Sequence, residues 1–216
     1  KDVSSGKAEG SSCRIIEAEK AMGSMKRDKA AEPIGIVTEM LKASQEVGVQ
    51  WLTDLSNRII DEGRIPGDWE KSVVIPIYKG KGDPLECGSY RAVKLLEHAT
   101  KVVERVLEQR IRNQVRVDEM QFGFMPGKGT TDAIFLVRQL QEKYHGKGKK
   151  LYYAFVDLEK AFDRVPREVV KWALRKSGVD EWIVRAVMAM YASAQTVDRN
   201  TYGNSESFDV RVGLHQ

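Results

Sequence analysis

The stretch Leu151–Asp163, LYYAFVDLEKAFD, decides how the rest of the chain is interpreted. Its first part, Leu151–Asp157, combines aromatic and β-branched residues, a composition that predicts a buried β-strand. Its second part, Leu158–Asp163, predicts a turn or a short helix. A carboxylate such as Asp157 at the end of a buried strand costs free energy unless a cation or a hydrogen-bond donor meets it.

Asp157 has two interpretations. It can cap the helical turn that follows by accepting hydrogen bonds from the first N–H groups of that turn. It can instead hold a hard divalent cation such as Mg²⁺, which keeps water molecules and substrate phosphates as its other ligands in enzymes that transfer nucleotides. The periodicity of the sequence by itself favours the cap.

The composition is that of an ordinary globular protein. The chain has 216 residues, of which 42% are hydrophobic and 31% charged, enough for one domain or two small ones. No apolar run approaches the roughly 20 residues of a membrane-spanning helix, so we expect no membrane partner. The net charge of +4 permits nucleic-acid binding without requiring it. Two isolated cysteines, Cys13 and Cys87, fit a reducing intracellular location, cytoplasmic and nuclear.

Apolar residues at helical spacing predict a series of helices. These helices are expected at residues 13–26, 36–47, 49–62, 95–115, 130–144, 164–177 and 180–192. Their apolar stripes are expected to face a core and include Ile15, Met40, Val47, Leu52, Ile59, Val102, Val106, Leu107, Ala133, Leu136, Val137, Leu140, Tyr144, Trp172 and Trp182.

Strand signals occur on both sides of these helices. Ser72–Tyr78 predicts a strand in which Pro76 indicates an edge position. Residues 194–199 and 207–212 predict a pair of strands. The segment Lys79–Pro84 is rich in lysine and glycine and predicts a hairpin tip. A solubilising loop is the default interpretation of such a tip, and binding of a polyphosphate through ammonium and backbone N–H groups is the alternative.

Four segments together resemble the reverse transcriptases of non-LTR (LINE-like) retrotransposons. FVDLEKAFDRVP resembles motif A, with identical residues at seven positions: Phe155, Asp157, Leu158, Lys160, Ala161, Phe162 and Asp163. WEKSVVIPIYKGKGD followed by SYRAVKLLEHATKVVERV resembles the fingers motifs 1 and 2. Residues 120–132 match the family pattern QxGFxxGxST-D, and the final VGLHQ resembles the opening of motif B.

The resemblance implies an α+β fold. We expect helix-rich fingers and a partial polymerase palm, with a mixed or antiparallel sheet and helices, that stops before the family's YxDD motif. The expected divisions are a flexible tail at residues 1–12, N-terminal helices and fingers at 13–150, and the partial palm at 151–216. The missing initial methionine and the end inside motif B lead us to expect a piece of a longer protein.

The resemblance also implies a role for particular residues. Asp157 is the expected catalytic residue and a ligand of Mg²⁺ or Mn²⁺, and the backbone carbonyl of Leu158 is a further metal ligand. The expected dNTP-binding residues are Lys79 and Arg91 at the triphosphate, Phe162 against the sugar, where it excludes a 2′-hydroxyl, and Gln216 near the nascent base pair. The expected template-binding residues are Gln121, Gly123 and Gly127. The implied partners are an RNA template, a DNA primer, dNTP, and the remainder of the polyprotein, meaning the rest of the palm, a thumb and, where the element encodes one, an endonuclease.

These roles predict that Lys79, Arg91, Asp157 and Phe162 converge on one cleft, since they serve one substrate. The sequence contains no Asp-Asp pair, and a single carboxylate does not hold two closely spaced dications against their repulsion. The chain alone is therefore expected to be inactive. A second function class stays open, a non-catalytic nucleic-acid-binding or scaffold remnant of a retroelement, which substitutions relative to the family pattern at Glu32, Ile34 and Ala92 favour.

Overall fold

The computed structural model describes residues 12–29 and 34–214. Helices and a mixed sheet make it an α+β structure, as expected. The helices in this part of the chain are α1 (Ile15–Gly23), α2 (Thr38–Ala43), α3 (Gln45–Glu62), α4 (His98–Gln114), α5 (Thr130–Gly146), α6 (Ala161–Arg164), α7 (Arg167–Lys176) and α8 (Glu181–Ala192). The strands are β1 (Lys71–Tyr78), β2 (Tyr90–Leu95), β3 (Gln195–Asn200), β4 (Gly203–Asn204) and β5 (Phe208–Asp209).

The described residues form two compact units. The first contains the chain up to Val115 together with the chain from Ala161 onward, and the second is Arg116–Lys160. The domain boundaries expected at residues 12 and 150 stay a prediction, and all of the expected flexible tail except Ser12 lies outside the described residues. None of the described helices combines the length and the apolar composition that crossing a membrane requires.

The core of the first unit lies among α1, α3, α4 and α8, which contact one another. The large side chains that are most completely buried include Leu52, Ile59, Val102, Val103, Ile183 and Val184. Burial of a side chain of this size contributes about 1.5–3 kcal/mol relative to leaving it in water. The inward orientation predicted for α3 and α4 is therefore confirmed, and Trp182 of α8 is also buried.

The single helix predicted at residues 36–47 is wrong, because the chain breaks between α2 and α3. Gln45 has a positive φ of 48°, and the Ser44 hydroxyl donates a hydrogen bond to the Leu41 carbonyl at 2.5 Å. A Cβ at Gly48 would lie 1.7 Å from the Ser44 Oγ, so only glycine accommodates this serine one turn later. On α2 itself, Thr38 and Leu41 are buried and Met40, which was expected to face the core, is exposed.

Three other residues predicted to face the core are also exposed. Val47 follows the break between α2 and α3, and Ile15 is the first residue of α1, where few neighbours surround it. Trp172 lies on α7, whose contact with the first unit's core is made instead by Leu174. Position on the helix decides burial here more than apolar character does.

The sheet is built around β1. It pairs antiparallel with β2, from Val73 opposite Leu95 to Tyr78 opposite Tyr90, and parallel with β3 over its first four residues. Pro76 lies beyond the part of β1 that β3 covers, so its missing N–H leaves no β3 carbonyl unpaired. The edge strand indicated by this proline is wrong, because β1 lies between β2 and β3, and only its Pro76 end extends past β3. The predicted strand pair near the end of the chain is present, as β3 with β5.

The strand predicted at Leu151–Asp157 is wrong. The residues from Leu151 to Leu158 have no regular secondary structure, and most of their side chains are exposed, including Tyr152, Phe155 and Val156. A strand requires a neighbour that accepts and donates its backbone hydrogen bonds, and no described strand pairs with this segment. The composition of this segment therefore suits a β-strand, but the segment does not belong to a sheet in this structure.

The second unit has no buried residue between Arg116 and Lys160. Its helix α5 is present at the predicted place, but the apolar stripe predicted to face a core is wrong. Ile134, Phe135 and Leu140 are about half exposed, and Ala133 and Tyr144 are only partly covered. Residues 116–160 alone are too few to surround a 17-residue helix with a core.

A buried ion pair fixes α1 to α4 in the first unit. The Arg110 guanidinium donates to the Glu17 carboxylate at 2.7 Å and lies 5.0 Å from the centroid of the Trp182 ring. Burial by itself would raise the pKa of Glu17, but hydrogen bonds from Arg110 and from the Arg14 backbone N–H lower it to about 2. The ion pair therefore stabilises the folded state only while Glu17 is charged.

We predict that Glu17→Gln lowers the free energy of unfolding by roughly 1–3 kcal/mol at pH 7, since the mostly buried Arg110 charge loses the carboxylate that neutralises it. Because the folded-state pKa lies below the ordinary value of 4.5, the stabilisation is present above that value and is lost as the pH falls towards about 2. Urea unfolding at pH 7, 5 and 3.5 measures this difference.

The matched control is Glu108→Gln, which removes an exposed i,i+4 pair with Arg112 on the same helix as Arg110. Glu108→Gln should lower the free energy of unfolding by less than about 0.5 kcal/mol at every pH. Equal effects of the two substitutions at pH 7 would show that the buried pair contributes nothing specific.

Candidate functional site

The hairpin between β1 and β2 carries Lys79 and Arg91. The last strand pair is Tyr78 opposite Tyr90, and the Lys79 N–H continues the ladder by donating to the Ser89 carbonyl at 2.9 Å. Arg91 is opposite Ile77, and side chains two residues apart share a face. The two predicted triphosphate-binding cations therefore lie on the same face of one hairpin, and both are exposed.

Two tyrosines that the sequence analysis missed fix the tip of this hairpin. The Tyr78 hydroxyl donates to the Gly82 carbonyl at 2.7 Å, and the Tyr90 hydroxyl donates to the Pro84 carbonyl at 2.9 Å. Their ring centroids are 5.6 Å apart. The signal in the sequence was a tyrosine on each side of a glycine-rich loop. The result is a braced tip with open cationic groups, in which the Lys79 ammonium donates to the Gly88 carbonyl at 2.8 Å.

The motif A turn that holds Phe162 is bonded to the segment Val212–Leu214. The Leu214 N–H donates to the Phe162 carbonyl at 2.8 Å, and the Gly213 N–H donates to the Val165 carbonyl at 3.0 Å. Gly213 has a φ of +87°, and a Cβ there would lie 2.7 Å from the Asp163 carbonyl oxygen. Only glycine permits this approach. The structure thus brings together the segments that resemble motif A and the opening of motif B.

Asp157 and Leu158 belong to the second unit. Both are exposed, and no described residue donates a hydrogen bond to the Asp157 carboxylate. The next helix, α6, begins only at Ala161, so the capping interpretation of Asp157 is not observed in the described part of the chain. The carboxylate is open to a ligand from outside.

The predicted template-binding residues lie on the loop before α5. The Gln121 side-chain amide donates to the Gly123 carbonyl at 3.0 Å, which fixes the turn that contains both residues. Gly127 has a φ of +75° and free space around the position of a Cβ. The Lys128 ammonium lies 5.3 Å from the centroid of the Phe122 ring. The loop is ordered by its own contacts and exposes backbone at Gly123 and Gly127.

A comparison with protein families matches residues 77–216 to the family described as reverse transcriptase (RNA-dependent DNA polymerase). This range contains the hairpin residue Lys79, the motif A turn and the segment bonded to it. The chain belongs to the reverse transcriptase family.

Individual relatives support the LINE-like kind of this family. One is the RNA-directed DNA polymerase from mobile element jockey of Drosophila melanogaster, 29% identical over 126 residues, which are 54% of this chain and 13% of that protein. The Pol polyprotein from type-1 retrotransposable element R2 of Nasonia vitripennis is 27% identical over 169 residues, covering 77% of this chain and 16% of that protein. The R2 polyprotein of Bradysia coprophila is 23% identical over 204 residues, which are 94% of this chain and 22% of that protein.

The expected resemblance to non-LTR reverse transcriptases is therefore confirmed. The chain spans only between 13% and 22% of the length of these three relatives. The roles of individual residues stay predictions, including the convergence of Asp157 with Lys79, Arg91 and Phe162. Gln216 and Glu32 lie outside the described residues.

The oxygen atoms near Asp157 fit a metal only as a partial ligand set. A carboxylate and a neighbouring backbone carbonyl are hard ligands of the kind that Mg²⁺ accepts. Within residues 12–29 and 34–214, no group of three or more acidic, histidine or cysteine side chains lies close enough to hold a metal ion. The Asp157 carboxylate and the Leu158 carbonyl alone supply fewer ligands than a protein-bound Mg²⁺ requires.

We predict that Gly213→Ala disrupts the bonds between the motif A turn and Val212–Leu214, since the added Cβ meets the Asp163 backbone. It should lower the free energy of unfolding by roughly 2–4 kcal/mol, which urea unfolding measures. The matched control is Gly178→Ala, at a φ of +79° with nothing within 4 Å of the Cβ position. That substitution should cost only the conformational strain of about 1 kcal/mol, and equal losses would contradict the close approach at Gly213.

Proposed function

We propose that the protein containing this chain synthesises DNA on an RNA template. The observation that carries the proposal is the pair of backbone hydrogen bonds that join the motif A turn to Val212–Leu214. In the reaction, the primer 3′-oxygen bonds to the α-phosphorus of a dNTP, the bond to the bridging oxygen breaks, pyrophosphate leaves, and the hydroxyl proton passes to water. The jockey relative carries the name RNA-directed DNA polymerase, which supports the same reaction.

Asp157 is the proposed catalytic residue and, with the Leu158 carbonyl, the proposed ligand of Mg²⁺ or Mn²⁺. The reverse transcriptase family uses divalent metal ions, which when bound stabilise the attacking and leaving oxygens. The exposed carboxylate supports this role, because no described group competes for it. The Asp-Asp pair that the sequence lacks would have to come from elsewhere in the protein.

Lys79 and Arg91 are proposed to bind the triphosphate of the incoming nucleotide. Their shared face on a braced hairpin supports this, since a rigid tip positions two cations at little entropic cost. The Lys79 ammonium would exchange its bond to the Gly88 carbonyl for a phosphate oxygen, which is the stronger acceptor. Gln216 is proposed to contact the nascent base pair, on sequence grounds alone.

The loop that holds Gln121, Gly123 and Gly127 is proposed to contact the template. Exposed backbone at two glycines supports this role, because the missing side chains let a nucleic-acid strand approach closely.

A reducing intracellular location is also proposed, which the two free thiols, Cys13 and Cys87, support.

A non-catalytic nucleic-acid-binding or scaffold remnant is the second candidate. It is favoured by the single carboxylate at the proposed metal position, since the described residues contain no fuller ligand group. The two candidates differ in one measurable property. Both bind RNA in a salt-dependent way, but only the polymerase incorporates nucleotides.

We predict that Asp157→Asn lowers Mg²⁺-dependent DNA synthesis on an RNA template by more than about 100-fold, since it removes a metal-binding charge. The assay uses a longer protein that contains this chain and an Asp-Asp motif. Thermal unfolding should not change, because the described residues make no hydrogen bond to this carboxylate.

Glu159→Gln is the matched control, an exposed acid two residues further along the same segment. It should leave synthesis within about twofold, because the Glu159 side chain is not a proposed ligand and an exposed charge contributes little. Synthesis retained by Asp157→Asn would exclude the metal role, and a wild-type protein that binds RNA without synthesis would support the remnant.

We predict that Phe162→Val raises the incorporation of ribonucleotides relative to deoxyribonucleotides by at least about tenfold, because it removes the ring proposed to exclude the 2′-hydroxyl. Primer extension with each nucleotide type measures the ratio. The control is Phe155→Val, which changes an exposed ring of the same motif in the other unit. If Phe162→Val leaves the ratio of ribonucleotide to deoxyribonucleotide incorporation unchanged, Phe162 does not exclude the 2′-hydroxyl.

A further inference from the structure

The side chain of Arg167 joins three parts of the first unit. It is the first residue of α7, and its Nη1 donates to the Tyr191 carbonyl near the end of α8. Its Nη2 donates to the Val210 carbonyl just after β5. The guanidinium also lies 5.5 Å from the centroid of the Tyr191 ring. These partners are 24 and 43 residues further along the chain.

The segment that Arg167 holds through Val210 is the one that meets the motif A turn. Val210–Leu214, which we call the strap, is bonded through Gly213 and Leu214 to the carbonyls of Val165 and Phe162. Its other end is held by Arg167 and by the Val210 N–H, which donates to the Ala194 carbonyl at 2.8 Å. The strap is therefore fixed at both ends against Phe162–Arg167.

The environment of Arg167 suits a guanidinium and no other cation. The side chain is half-buried, and burial lowers its pKa from the ordinary value. A planar fork with several N–H groups reaches two carbonyls at once and stacks on a ring, whereas an ammonium is a point charge on a flexible stem. The two carbonyls and the ring offset part of the cost of burying the charge, and the Nε is buried without a hydrogen-bond partner among the described residues, so the contact constrains the position of the side chain.

Arg167 also lies near the hairpin strand β2. Burial lowers the pKa of Lys94 on that strand to about 8, and the positive charge of Arg167 contributes to this lowering. Lys94 is three residues after Arg91, the proposed triphosphate ligand. The guanidinium thus lies within electrostatic range of one strand of the hairpin while it holds the strap.

We propose that Arg167 is a positioning residue that fixes the Phe162 ring for the selection of the nucleotide sugar, acting through the strap. The inference rests on the proposed function. Loss of the fork leaves Val210 held only by its N–H bond to the Ala194 carbonyl, the strap loosens at Gly213 and Leu214, and the carbonyl of Phe162 loses its fixed donor. The ring then samples more positions, and the exclusion of a 2′-hydroxyl weakens. Displacements of about 1 Å at a reacting centre suffice for large changes in rate.

The first experiment measures backbone amide exchange in the 216-residue chain. Arg167→Lys keeps the charge but loses the fork, and the amides of Gly213 and Leu214 should exchange about tenfold faster, the effect of losing a hydrogen bond that closes the strap. Arg175→Gln on the same helix is the matched control, since it removes an exposed bidentate pair with Glu181. In Arg175→Gln, the exchange rates of the Gly213 and Leu214 amides should be unchanged. Unchanged exchange in Arg167→Lys would overturn the proposal.

The second experiment measures sugar selection in the longer, active protein. Arg167→Lys should raise the ratio of ribonucleotide to deoxyribonucleotide incorporation by about threefold to tenfold, with a smaller loss in kcat/KM for dNTP. A merely structural role would lower both incorporations equally, and that result overturns the proposal. Tyr191→Leu, which removes only the ring beneath the guanidinium, is the milder second variant and should shift the same ratio less.

Different results would contradict the proposed DNA synthesis and the proposed role of Arg167. A wild-type protein that synthesises no DNA contradicts the proposed function and with it the sugar-selection role. An active wild type whose ratio is unchanged in both Arg167→Lys and Tyr191→Leu contradicts only the role of Arg167.

Discussion

The parallel pairing of β1 with β3 is the constraint on which the first unit depends. It joins Lys71–Val74 to Gln195–Asp198, and the Ser72 hydroxyl reinforces it by donating to the Gln195 carbonyl at 2.8 Å across 123 positions of sequence. A parallel pair needs a long crossover connection, and here the crossover contains the motif A turn, α7 and α8. Closing so long a connection costs chain entropy, and burial of two of its helices, α4 and α8, offsets that cost. The core made by α8 with α3 and α4 provides that burial, so sheet and helical core require each other.

The proposed functional groups are held by backbone contacts more than by side-chain contacts. The hairpin continues past Tyr78 through the N–H of Lys79, and the motif A turn is held through the carbonyls of Phe162 and Val165. Side chains that bind a substrate must stay exposed, so they contribute little to the core that positions them. Glycine at position 213 allows these backbone hydrogen bonds to form, because the close approach to Asp163 leaves no space for a Cβ. Family resemblance at that position therefore has a steric basis in this structure.

Local signals predicted the parts of the fold that depend on neighbours in the sequence. The β1–β2 hairpin and the buried faces of α3 and α4 follow from alternation, turn chemistry and helical spacing, and they are confirmed. The break at Ser44 was not predictable from periodicity, since it depends on the space above Gly48. Arg167 was missed because its partners are backbone carbonyls far along the chain, and carbonyls have no sequence signature. The motif A segment was assigned a strand because composition shows suitability for a sheet but not the presence of a partner strand.

The exposure of Asp157 has a chemical consequence that the prediction of a buried strand end had obscured. Burying a carboxylate without a partner costs several kcal/mol, so a metal-binding acid is easier to keep where water covers it until a cation arrives. In the described part of the chain no donor competes for its oxygens, and no group of three or more acidic, histidine or cysteine side chains lies close enough to hold a metal ion. The apolar residues on either side, Phe155 and Leu158, are exposed along with it. Any surface that covers those side chains also lowers the local dielectric around the carboxylate, and this strengthens its attraction for a cation. Covering of the apolar residues would therefore strengthen the proposed binding of a metal ion at Asp157.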